Sequence, residues 1–145
     1  LMEYYILGRH KNKLVVDHYV AMVIKALKLH RLTKRSIIID FKTSLDDEAL
    51  GLCFGVKDVA KVEIARKSNG VSQTFLEQMQ TLAHELVHVK QYMRGELGYN
   101  QHGDFKWKKR NAGGYKYENQ PWEKEAERLE KTLFIECFPF DMEIS

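Results

Sequence analysis

Cysteine is nearly absent from this chain of 145 residues: only Cys53 and Cys137 occur, far apart. That excludes a disulfide framework, and two distant thiols cannot build a zinc site by themselves, so both read as ordinary buried thiols of an intracellular protein. Long apolar runs are missing too. No stretch approaches the ~20 residues needed to span a bilayer, and the run Val20–Ile24 is closed by Lys25. The N-terminus has no basic segment followed by an apolar one, so no signal peptide is read and a cytoplasmic protein without a membrane partner is expected. Nor does one sign of charge dominate. The 23 basic and 20 acidic residues leave a net +3, and their interspersion implies neither a nucleic-acid nor a membrane partner. The most basic short stretch, Lys106–Arg110, reads as a solvated loop. Without repeats, low-complexity tracts or a linker, residues 1–145 are expected to form a single domain.

What is present has clear periods. Val16, Val20, Val23, Ile24 and Leu27 recur at helical spacing and predict a first helix over about residues 14–29. Ile37–Phe41 is short and β-branched, a strand. Alternation over Gly51–Val56 predicts a second strand and Val59–Arg66 a third, followed by a turn at Ser68-Asn69-Gly70. Lysines and arginines stud the ends of Val59–Arg66, which suggests an exposed edge able to accept an extended peptide. Thr74-Phe75-Leu76-Glu77 fits a capping box. After it, Phe75, Met79, Leu82, Leu86, Val89 and Met93 form the strongest helical stripe in the chain, with Gly95 placed to end it. Residues 96–118 lack a period and read as an irregular excursion. A final helix begins at Pro121, favoured at a first helical position. The expected fold is α+β: an N-terminal helix, a three-stranded sheet and two further helices.

His84-Glu85-Leu86-Val87-His88 lies in the middle of that strongest helix. Histidines four residues apart share a face and can reach one zinc ion, whereas Glu85 is turned about a hundred degrees away. A carboxylate there can take the proton of a water whose pKa zinc lowers to roughly 7. A catalytic zinc needs three protein ligands and one open position. Two residues are candidates for the third: Glu123, which opens the last helix behind Trp122, and His102, in the Gly- and Asn-rich loop. Glu123 is preferred because a helix start holds a ligand more rigidly than a loop, and Glu125 is a weaker choice.

The stretch 82–92 around His84 and His88, followed by Pro121-Trp122-Glu123-Lys124-Glu125-Ala126, resembles the small phage-type and SprT-like zincin metallopeptidases. The resemblance spans roughly residues 75–130. It implies a minimal zincin-like fold, zinc as cofactor and hydrolysis of amide bonds, in a host cytoplasm if the protein is phage-encoded. It also implies Glu123 as third ligand, with Glu127 as the carboxylate that holds a zinc-bound histidine. His102-Gly103-Asp104-Phe105 resembles instead, with one residue fewer before the phenylalanine, the His-Gly-x-x-Phe that carries the ligand in SprT-like proteins proper. The two signals point to different third ligands.

Hydrolysis also needs a hydrogen-bond donor for the developing oxyanion, and Tyr115, Tyr117, His102 and Arg66 are available. His10, His18 and His30 show no metal spacing, and Trp107 reads as a packing anchor for the excursion. The expected partner is a peptide or protein in extended conformation, bound by a monomer. The alternative is a zinc-containing binding or adaptor module without activity, possibly DNA- or virion-associated. The chain has no separate DNA-binding domain or zinc finger, so a nucleic-acid partner is left open.

Overall fold

A computed structural model describes residues 2–142. The chain is α+β. Strand β1 (Glu3–Gly8) leads through helix α1 (Lys13–Ala26) to β2 (Ser36–Lys42), and the hairpin β3 (Gly51–Gly55) and β4 (Val59–Ala65) completes a four-stranded sheet of order β1-β2-β4-β3. β1, β2 and β4 run parallel, and β3 runs antiparallel to β4. A tight hairpin, β5 (Lys67–Ser68) and β6 (Val71–Ser72), turns at Asn69-Gly70 and feeds α2 (Phe75–Met93). A small sheet of β7 (Leu97–Tyr99), β8 (Phe105–Trp107) and β9 (Arg110–Asn111) precedes α3 (Pro121–Cys137).

The alternation of β2 and β4 puts Ile37, Ile39, Phe41, Ala60, Val62 and Ile64 on one buried face. α2 packs on β3 and β4, and α3 packs on α2 and α1. α1 adds Val16, Tyr19, Val20 and Val23 to the same core. Tyr19 is wholly buried, and its hydroxyl is satisfied by donating to the Met79 carbonyl at 2.8 Å. The capping box of α2 forms as expected: Thr74 Oγ1 accepts from Glu77 N–H at 3.1 Å, and Glu77 Oε1 accepts from Thr74 N–H at 2.8 Å. The helix ends at Gly95, whose φ of 72° lets Gly95 and Glu96 N–H donate back to the carbonyls of Tyr92 and Gln91.

Three expectations are corrected. The sheet has four strands, because Glu3–Gly8 pairs with β2 along its length. Residues 96–118 are not irregular throughout: the small sheet packs Leu97, Phe105, Trp107 and Ala112 with Tyr92 around Trp122 in a second core. The anchoring role read for Trp107 fits this packing. Most consequentially, Val59–Ala65 is no edge; it lies between β2 and β3. The edge on that side is β3, because the β3–β4 hairpin folds its first strand outward.

Candidate metal centre

The site lies between β3, the middle of α2 and the start of α3. Helical spacing turns His84 and His88 to one side of α2, with ring centroids 5.1 Å apart. α3 brings Glu123 up to both. Its Oε1 is 2.9 Å from His84 Nε2 and its Oε2 is 3.1 Å from His88 Nε2. One ligand atom from each of the three residues lies within 4.8 Å of the others. Ligands 2.0–2.2 Å from a tetrahedral zinc stand roughly 3.3 Å apart, so this donor set fits the ion in both chemistry and spacing.

Each histidine is fixed by its other nitrogen. His88 Nδ1 donates to Gln91 Oε1 at 2.7 Å. The wholly buried Gln91 is oriented in turn, because its amide N–H groups donate to the Trp122 carbonyl and to Glu125 Oε1, each at 3.0 Å. That assigns the proton of His88 to Nδ1 and leaves Nε2 facing Glu123. His84 Nδ1 faces Glu130 Oε1 at 3.3 Å. Glu130, one helical face along α3 from Glu123, therefore takes the place expected of Glu127, whose side chain is exposed. Glu125 is likewise no ligand: it pairs with Lys90 at 3.1 Å and holds Gln91. Gln91 and Glu130 went unread in the sequence, although Gln91 follows His88 by one helical turn and Glu130 follows Glu123 by two.

The electrostatics follow from crowding ionisable groups in a half-closed space. Burial works against charge on His84, but its bond to Glu123 and the nearby carboxylates outweigh it and push its pKa up to about 9. His88 is raised by the same balance. Burial works against the Glu123 carboxylate too, and the two histidines overcome it, holding its pKa down to about 2. Glu85, only 7% exposed, is pushed up to about 7 by burial, against the pull of His88 and His84. Two histidines held toward the charged form around one carboxylate are the pattern a divalent cation replaces.

Glu85 stands beside the three donors rather than among them. It lines the same cleft of about 380 Å3, whose opposite wall is Gly51–Phe54 of β3. Tyr117 reaches in from a turn before α3, and its hydroxyl donates to Glu123 Oε1 at 3.1 Å. Burial first and the Glu123 charge second raise its pKa, so it stays a protonated donor. Tyr115 packs its ring edge on Trp122. Arg66 is a staple for the sheet, donating to the carbonyls of Arg9 and Phe41 and to Thr43 Oγ1. His102 sits exposed in the β7–β8 turn, beside Gln101 and apart from the three donors. No helix among the described residues is long and apolar enough to cross a membrane. Compared with protein-family models, curated proteins and solved structures, the chain matches none of them.

Proposed function

We propose that this chain is a zinc-dependent peptidase of minimal zincin-like architecture, with His84, His88 and Glu123 as metal ligands and Glu85 as general base. The observation that carries the reading is the position of Glu85, buried in the wall of the donors' own cleft yet outside the donor set. A structural zinc is closed by four protein ligands, whereas three ligands with an adjacent carboxylate leave a position for chemistry.

Bound zinc supplies Lewis acidity toward a carbonyl oxygen and makes a coordinated water acidic near neutral pH. The protein's own groups do the rest. Glu85 takes a proton from the attacking water and returns it to the departing amine. Tyr117 turns its hydroxyl from Glu123 to the carbonyl oxygen as negative charge develops there. Gln91 and Glu130 keep both imidazoles aimed with Nε2 inward. The free edge of β3 faces the same cleft and offers backbone N–H and C=O groups to an extended peptide. Main-chain pairing of this kind requires an unfolded segment as substrate.

Elemental analysis and proteolysis together test the reading. Zinc should be present at one per chain, wild type should cleave a reduced, unfolded protein, and Glu85→Gln should retain zinc and fold while losing cleavage. A Glu85→Gln protein cleaving at the wild-type rate would remove the mechanism. Full zinc occupancy with no cleavage by wild type would favour a zinc-containing adaptor.

A further inference from the structure

The cleft continues past the metal donors in both directions along β3, and its two ends carry opposite charge. Beside Ala49–Gly51 lies a compartment of about 340 Å3 with Glu127 and Glu130 in its walls. Beyond Gly55 lies another, of about 410 Å3, that shares Tyr92, Leu97 and Tyr99 with the central cleft. Three lysines line this second compartment: Lys57 from the β3–β4 turn, Lys106 on β8 and Lys109 from the β8–β9 turn. They arrive from separate elements, and Gly95 makes room for one of them, because a Cβ there would stand 3.3 Å from Lys57 Cε. The one carboxylate in this lining, Glu96, is already paired with Lys90 at 2.8 Å. Among the described residues no acid lies within ion-pair distance of Lys57, Lys106 or Lys109.

We infer that this lysine-lined compartment is a side-chain subsite selecting an acidic residue, glutamate or aspartate, in an extended peptide laid along β3. The inference rests on the peptidase reading for the peptide, and on the lysines for its charge. Val56, Leu97 and the rings of Tyr92 and Tyr99 give the stem of a side chain an apolar wall, and the three ammonium groups meet its carboxylate. From Gly51, beside Glu85, to Gly55 is four residues, about 13 Å of strand at ~3.3 Å per residue. The selected residue therefore lies about four positions from the scissile bond, on one side only. A nucleic-acid backbone fits less well, because Glu127 and Glu130 at the other end of the same cleft repel a polyanion.

The probe is a labelled peptide of neutral residues carrying one glutamate, moved stepwise along its length, beside a matched series carrying lysine. Affinity for the zinc-loaded Glu85→Gln protein is read by fluorescence anisotropy. The glutamate peptide should bind about five- to tenfold tighter than its lysine counterpart when the residue lies on one side of the centre, the scale of partly exposed ion pairs. The difference should shrink with added salt and vanish in the triple variant Lys57→Ser, Lys106→Ser, Lys109→Ser. Equal affinities, or no binding by either series, overturn the subsite. So does a single-stranded oligonucleotide that displaces the glutamate peptide more effectively than unlabelled glutamate peptide does. Cleavage of an unfolded protein by wild type, measured in parallel, separates the two claims. Cleavage without charge preference removes the subsite and keeps the peptidase, and charge preference without cleavage does the reverse.

Discussion

Gly51 is a glycine because of Glu85: a Cβ at position 51 would stand 2.9 Å from Glu85 Cγ and 2.7 Å from Thr81 Cγ2. In the proposed mechanism the edge strand thus rides directly on the general base, and backbone contact would fix the distance between a bound peptide and the carboxylate. Gly51→Ala should push Glu85 aside while leaving all three metal donors untouched. Turnover should fall by about 10–100-fold, the usual cost of a displacement near 1 Å at a reacting group, with zinc content unchanged. Steady-state kinetics paired with metal analysis check this. Wild-type turnover in the variant would show that Glu85 tolerates the shift.

Glu123→Ala should weaken zinc binding far more than His102→Ala, because the first removes a donor from the group and the second changes an exposed turn. Zinc competition with a chromogenic chelator gives both affinities. Thermal melts should follow the same order, since metal bound only to the folded chain stabilises it. The reverse ranking would return the ligand role to His102.

Glu130→Ala and Gln91→Ala should each lower zinc affinity by roughly 10–100-fold, the typical effect of losing the partner of a ligating histidine. Glu127→Ala, at an exposed position, should change it little. Gln91→Ala should also cost stability, because Glu125 and the Trp122 carbonyl lose the donor they share. Equal zinc affinities for Glu130→Ala and Glu127→Ala would show that the 3.3 Å contact to His84 does not orient the ring.

Zinc uptake at pH 7 should release protons. His84 has its pKa raised to about 9, so it is largely protonated at neutral pH and must lose that charge to ligate, and the same carboxylates raise His88 in the same direction. Apparent zinc affinity should therefore climb as pH rises toward about 9 and fall as it drops. Calorimetry in two buffers of different ionisation enthalpy counts the protons. No buffer dependence at pH 7 would mean that His84 is neutral before the metal arrives.

A peptide N-methylated at the backbone positions flanking the scissile bond should lose binding if β3 pairs with substrate, because each methyl removes a main-chain donor. The same test cannot be made by placing proline at Glu63. That residue is interior to the sheet, paired with Asp40 on one side and Leu52 on the other, and proline there would break the fold itself.

The helix carrying the candidate metal residues His84 and His88 was legible because its signals are local. A capping box, an apolar stripe and two histidines four residues apart all depend on one helical turn or a few, and each lies where the spacing puts it. The start of α3 was legible for the same reason, since Pro121 fixes it without help from elsewhere. β1 escaped because its six residues show only a short alternation, and their strand character comes from pairing with β2 some thirty residues later. Lysines do not locate the edge, because they mark both exposed strand ends and true edges, and only the pairing partners of β4 distinguish the two.

The histidine orienters divide in the same way. Helical periodicity puts Gln91 near His88 and Glu130 on the face of Glu123, yet choosing Glu130 over Glu127 requires the angle at which α3 crosses α2. The sequence alone determined which residues could bind a metal and that two of them share a helix face. Only the tertiary structure decided that Glu123 closes the group, that Glu130 and Gln91 hold it, and that β3 walls the cleft. Local hydrogen bonding and periodicity are written within a few residues, whereas the meeting of separate elements depends on how the whole core packs.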